Sequence, residues 1–133
     1  MGDANQFPAS TTLKLREYVR GRGGVITEWL SSDPGARAKF RIRVNKLRLV
    51  PRELWSANEF RNLGKGLAEI KWKSKSGKVQ HRAIGFNQGG YFVLVIGCIH
   101  KMRVYYPHDC LETASKRKAE VENDQWPTID FEP

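Results

Sequence analysis

Apolar and polar positions alternate from Thr12 to Val19. Leu13, Leu15 and Glu17 fall opposite Lys14, Arg16 and Tyr18, which predicts a short strand with one wet face. Gly21, Gly23 and Gly24 then break the pattern as a turn does. Val25, Ile26, Trp29 and Leu30 recur at helical spacing, so a short helix is expected over Val25 to Ser32. Asp33-Pro34 reads as a second helix start, with Asp33 as N-cap and Pro34 at the first helical position. The following stretch, Ala36 to Val50, fits two templates. Phe40, Val44 and Leu47 make a helical stripe, whereas Phe40, Ile42 and Val44 alternate like a strand. The length and the preceding cap favour the helix, with Pro51 marking its end.

After a loop expected around Trp55 to Gly66 the period changes to two. Ala68, Ile70 and Trp72 alternate with Glu69, Lys71 and Lys73, and Ser76-Gly77 supplies a hairpin turn. Val79 to Phe86 forms the next strand, closed by Asn87-Gln88-Gly89-Gly90. Tyr91 to Ile99 is almost continuously apolar, as a central strand buried on both faces must be. Pro107 and Asp109 open a last helix to about Asn123, with Leu111, Ala114 and Val121 inward. Residues 1–11 read as a flexible arm, 12–123 as one domain, and 124–133 as an acidic tail whose prolines cannot extend the helix.

A chain of 133 residues suits one domain with a core of its own. No apolar run approaches the roughly 20 residues that span a bilayer, and the start lacks a signal-peptide pattern. Cys98 and Cys110 are too few for a disulfide framework or a four-cysteine zinc site. The expectation is a cytoplasmic chain with reduced thiols and no membrane partner. Charge changes the picture. The net formal charge is +9, made up of +14 from Lys14 to His108, −4 from Asp109 to Pro133 and −1 from Asp3. A basic body with an acidic end suggests a polyanionic partner, most simply nucleic acid.

The densest cationic cluster lies on the meander. Lys71 and Lys73 share a strand face, Lys75 continues towards the turn, Arg82 sits on the paired strand, and Lys101 and Arg103 follow the next. Such a face suits a phosphodiester and the added charge of its phosphorane transition state; it equally describes a solvated outer face. His100 to Tyr106 places an imidazole, two cations and two phenols after the apolar strand, the residue types RNA cleavage needs for base, acid and phosphate contacts. Tyr105 or Tyr106 also suits stacking on a base. His81, His100 and His108 have no carboxylate or cysteine at metal-ligand spacing, so no metal or other cofactor is expected. Arg37, Arg41, Arg43 and Arg48, with Lys39 and Lys46, ring the second helix and leave open an acidic peptide, a nucleic-acid backbone or plain solubility.

The order strand, two helices, three-stranded meander, helix resembles the RelE/ParE toxin superfamily, and within it the phage-derived, HigB-like branch of type II toxins. The matching stretches are Ile26 to Leu30 followed by Ala36 to Lys39, Leu63 to Lys71, His81 to Ile84, and Gly97 to Lys101, spread over roughly residues 12 to 123. The resemblance implies an α+β fold, a mainly antiparallel sheet with two N-terminal helices packed on it and a C-terminal helix. It further implies a metal-independent endoribonuclease that cuts mRNA on the ribosome by 2′-hydroxyl attack and is silenced by a cognate helix-turn-helix antitoxin. ParE-like members inhibit gyrase instead, which makes a non-catalytic gyrase inhibitor or nucleic-acid-binding module the alternative.

By position, the resemblance makes Lys71, Lys73, Arg82, Lys101 and Tyr105 the catalytic set, beside Lys75, His100, Arg103 and Tyr106 as RNA-binding residues. Alternation turns His81 and Arg82 to opposite faces, and the resemblance selects Arg82. The segment from His100 to Pro107 is one residue longer than the family pattern, so Lys101, Arg103 and Tyr105 all remain candidates for the position after the last strand. The tail, with Trp126 and Phe131 among its acids, is expected to pack back on the domain and compete with RNA.

Overall fold

Asp33 settles the ambiguous stretch. In the computed structural model its carboxylate accepts the Ala36 amide hydrogen at 3.0 Å, Pro34 occupies the first helical position, and the helix runs to Leu49. The structure describes residues 13–133; the arm expected over residues 1–11 lies outside the described residues. In chain order the elements are β1 (Lys14–Arg20), β2 (Gly23–Gly24), α1 (Val25–Ser31), α2 (Pro34–Leu49), a 3-10 turn (Arg52–Leu54), β3 (Phe60–Gly64), β4 (Leu67–Ser74), β5 (Val79–Gln88), β6 (Tyr91–Lys101), β7 (Val104–Tyr106), α3 (Cys110–Glu122) and β8 (Thr128–Phe131).

The mainly antiparallel, RelE-like arrangement expected from the resemblance is not what the chain adopts. Its eight described strands form one mixed sheet, ordered β2-β1-β6-β5-β4-β3, with β7 on β6 and β8 on β1. β1 runs parallel to β6, Lys14 facing Tyr91 and Glu17 facing Leu94. The helices divide between the two faces. α1 and α2 bury Ile26, Leu30, Phe40, Val44 and Leu47 against Leu15, Ile70, Trp72 and Phe92. On the other face α3 buries Cys110, Ala114 and Val121 against Ile84, Phe86, Val93 and Cys98. A two-residue period fixes which residues share a face, but not a strand's neighbour or direction, and both were needed here.

Smaller departures have local reasons. Part of the expected loop at Trp55 to Gly66 is β3, whose Arg61, Asn62 and Gly64 mask its alternation. Leu111 is exposed because Cys110, one position earlier, takes the buried stripe with Ala114 and Val121. Glu17 is buried and serves α1, whose N-cap is Gly24 and carries no capping side chain. Its carboxylate accepts from the Ile26 and Thr27 amides at 2.8 and 2.9 Å and from the Thr27 hydroxyl at 2.5 Å. A Cβ at Gly24 would lie 1.9 Å from the Glu17 carboxyl carbon, so the close approach needs glycine.

The tail residues close the β1 edge. β8 pairs antiparallel with β1, Leu15 facing Phe131 and Tyr18 facing Thr128. Phe131 is buried and stacks on Phe40, and Trp126 stacks on Tyr18. Arg16 pairs with Asp130, Arg48 pairs with Glu132, and Arg37 and Arg41 donate to the Pro133 carbonyl. Asp130 and Glu132 of the tail are thus spent on β1 and one side of α2.

Candidate nucleic-acid interface

Pairing of the meander strands sets polar side chains in rows on the face that carries α3. Lys71 on β4 faces Arg82 on β5, which faces Cys98 on β6; one row on, Lys73 faces Gln80, Gln80 faces His100, and His100 faces Tyr105 on β7. Strand alternation sends His81 the other way. There it stacks on Trp72 and bonds the Ser74 hydroxyl at 2.7 Å, buried among the residues under α1 and α2.

A carboxylate organises the row. Glu69 is fully buried and accepts from Tyr105 Oη at 2.7 Å and Arg61 Nε at 3.0 Å, with Arg82 Nε at 3.7 Å. Arg82, itself buried, spends its remaining donors on the His81 carbonyl and the Gln80 side chain, each at 3.0 Å. A buried ion pair is weak evidence for stability but costly to break, so this cluster holds Arg82 and Tyr105 in one geometry. Burial and the Glu69 bond push the Tyr105 phenol well up, and it keeps its proton at neutral pH.

β3 pairs with β4 only as far as Phe60 opposite Ile70, and beyond that point a groove opens. It encloses about 550 Å³ and passes around the β4 edge, bounded by Lys71, Trp72, Lys73, Gln80 and Arg82 on the sheet. The facing wall is α2, which contributes Lys39, Ile42, Arg43 and Lys46. Lys39, Arg43 and Lys46 stand four and three residues apart, hence on one side of the helix. Six cations therefore converge on one groove. Glu59, buried nearby, offsets two of them by pairing with Arg43 at 2.8 Å and Lys46 at 2.7 Å. Its carboxyl is lowered by the Lys46 bond first and then by both charges, against the opposing effect of burial.

The electrostatics tune two groups. Burial, then the Arg82 charge, lowers the Lys71 ammonium from its ordinary value. The same two causes lower His100, so its imidazole is neutral at pH 7 and able to take a proton. A neutral imidazole, a softened ammonium and a fixed guanidinium on adjoining strands match the needs of in-line phosphodiester cleavage.

Not all the residues expected at this site join it. Lys101 is exposed and faces Val104; alternation turns it to the sheet face opposite His100. Arg103 and Met102 form the turn between β6 and β7, both with positive φ, and Arg103 projects into solvent. Lys75 lies in the exposed β4–β5 turn. Tyr106 faces Ile99, on the side away from Tyr105, with its ring 4.8 Å from His108. Glu69 and Arg61 were not expected as site residues, and the helix cations were expected only as a surface open to a nucleic-acid backbone, an acidic peptide or plain solubility. The spacing 39, 43, 46 was visible in the chain, but nothing in it told which strand edge the stripe would face.

Cys98 and Cys110 are free and buried, and contact between them together with burial raises the Cys98 thiol. Among the described residues no helix is long and apolar enough to cross a membrane, and no three His, Cys, Asp or Glu side chains gather as a metal-holding group. Compared with known proteins, the chain matches no family model, no curated protein and no solved structure.

Proposed function

We propose that this chain binds single-stranded RNA in the groove between α2 and the β4 edge and cleaves it beside the groove, on the sheet face that runs from Lys71 to His100, by 2′-hydroxyl attack, without a metal ion. The single observation that carries this is the convergence of Lys39, Arg43 and Lys46 with Lys71, Lys73 and Arg82 in a space of about 550 Å³. A polyanion is the ligand that offsets such crowding, because each phosphate held there relieves repulsion and releases counterions.

In the proposed reaction the neutral imidazole of His100 takes the 2′-hydroxyl proton. The 2′-oxygen attacks phosphorus, and Arg82 and Lys73 offset the extra negative charge of the phosphorane. The bond to the 5′-oxygen breaks as Lys71 returns a proton to it, leaving a 2′,3′-cyclic phosphate and a 5′-hydroxyl. Tyr105, locked to Glu69, positions the cluster and does not titrate. Resemblance of the short stretches on these same strands to HigB-like toxins supports mRNA as the target and a toxin role in the cytoplasm, on the ribosome and under an antitoxin's control.

Purified protein incubated with ribosomes and mRNA in EDTA tests this. Cuts ending in cyclic phosphate are expected, lost in Lys71→Ala. Intact mRNA with inhibited gyrase would establish the non-catalytic alternative.

A further inference from the structure

The ladder along β6 has a gap. On one edge β1 pairs with it only from Tyr91 to Leu94, and β7 takes up pairing at Ile99. Between them the β6 edge opens on a cleft of about 800 Å³, lined by Arg20 at the end of β1, Arg22 in the turn after it, Glu28 and Trp29 of α1, Gly97, and Arg117 of α3. The floor is built. Trp29 lies directly on Gly97, where a Cβ would sit 2.0 Å from the indole, so the ring walls the cleft against bare backbone.

Three guanidiniums reach this cleft against one carboxylate, Glu28. Arg117 is fixed: it donates to the Val95 carbonyl at 2.7 Å and stands 4.9 Å over the Tyr18 ring. Burial first, with repulsion from Arg20 among the further causes, lowers its guanidinium. Arg20 and Arg22 are exposed and make no ion pair among the described residues. Several arginines elsewhere have carboxylate partners, as Arg16, Arg61 and Arg82 on the sheet and Arg48 on α2 do. Forked guanidiniums crowded around an open backbone edge fit phosphate oxygens, which accept from several of them at once.

We infer that this cleft is a second phosphate subsite, which holds the backbone of the RNA strand beyond the nucleotides in the groove. It rests on the reading of the groove as an RNA site and adds to it a footprint reaching from the β4 edge to the far edge of β6. A strand too short to reach both edges does not feel the cleft; a longer one does.

The test measures binding of a trinucleotide and a dodecanucleotide of unpaired RNA, each across a salt series, to the full chain and to the double variant Arg20→Gln, Arg22→Gln. Arg20 ends β1 and Arg22 lies in the turn after it. Both side chains are exposed and make no ion pair among the described residues, so the fold is expected to be retained, checked by thermal melting. The expected result is an unchanged trinucleotide affinity. For the dodecanucleotide, the dependence of log K on log salt becomes shallower by roughly 1.4, about 0.7 for each cation lost. An unchanged slope for the long strand, with the short strand still bound by both proteins, overturns the second subsite and leaves the groove standing. Failure of the native protein to bind either RNA overturns both. Binding of an Asp/Glu-rich peptide that the variant loses, with no length effect on RNA, assigns the cleft to an acidic protein partner and overturns the proposal.

Discussion

Tyr105 donates its hydroxyl hydrogen to Glu69 at 2.7 Å, although β7 and β4 are separated in the sheet by β5 and β6. The bond ties the short β7 to the inner meander, and through Glu69 it ties both to Arg61 and Arg82. Removing the carboxylate takes a shared acceptor from two guanidiniums and a phenol together. Glu69→Ala is expected to lower stability by about 3 kcal/mol or more, the cost of breaking a buried pair. Urea unfolding should show the midpoint falling while the slope is kept.

Lys71 and Lys101 separate on geometry. Lys71 lines the groove, whereas Lys101 lies on the other face of the sheet. Lys71→Ala is expected to slow RNA cleavage on the order of 10²- to 10³-fold, as loss of a transition-state donor does. Lys101→Ala should stay within a few-fold of the native rate. Single-turnover cleavage of a labelled strand measures both, and equal losses would remove Lys71 from its proposed role.

His81 makes stability depend on pH. Burial first, with the Lys75 and Arg82 charges and against the pull of Asp33, lowers its pKa below the ordinary 6.5. The unfolded chain therefore binds more protons than the folded one near and below pH 6.5. Stability is complete above that value and declines as pH falls through 6.5 towards the lowered pKa. His100 acts with the same sign. Urea midpoints at pH 7.5 and 5.5 should differ in the native protein and differ less in His81→Phe.

Cleavage itself should follow the proton state of His100. Its lowered pKa keeps the imidazole neutral at pH 7, so the rate is expected to be flat there and to fall on acidification below the ordinary 6.5. His100→Asn should remove that acid limb along with most of the activity. A native profile that rises only in the alkaline range would point to Lys71 as the base instead.

The acidic tail is expected to hold the fold without competing for RNA. β8 lies on β1, with β6 and β5 between it and the groove strand β4, and its acids pair with Arg16 and Arg48, which do not line the groove. This replaces the competition expected from charge alone. Phe131→Ala should cost about 3 kcal/mol through lost core packing. Asp130→Asn with Glu132→Gln should change trinucleotide affinity by less than about twofold, since exposed pairs contribute about 1 kcal/mol or less and neither acid faces the groove. Filter binding at two salt concentrations distinguishes this from a competing tail.

The chain by itself determined what depends on neighbours in sequence. Asp33-Pro34 starts α2 because a carboxylate and a missing amide suit a helix end, whatever lies elsewhere. Alternation set Lys71 and Lys73 on one face of β4 and sent His81 and Arg82 to opposite faces. Only tertiary structure decided that β1 runs parallel to β6, that α3 covers the face opposite α1 and α2, and that β8 closes the β1 edge. The same is true of the groove. Lys39, Arg43 and Lys46 meet Lys71 and Arg82 only because α2 packs beside β4 where β3 has not yet begun. Glu69 became a hub only once β7 had folded back beside β6. Periods of two and 3.6 residues are local and recur along every strand and helix. The choice of partner, direction and face comes from burial between residues far apart in the chain, which no local pattern encodes.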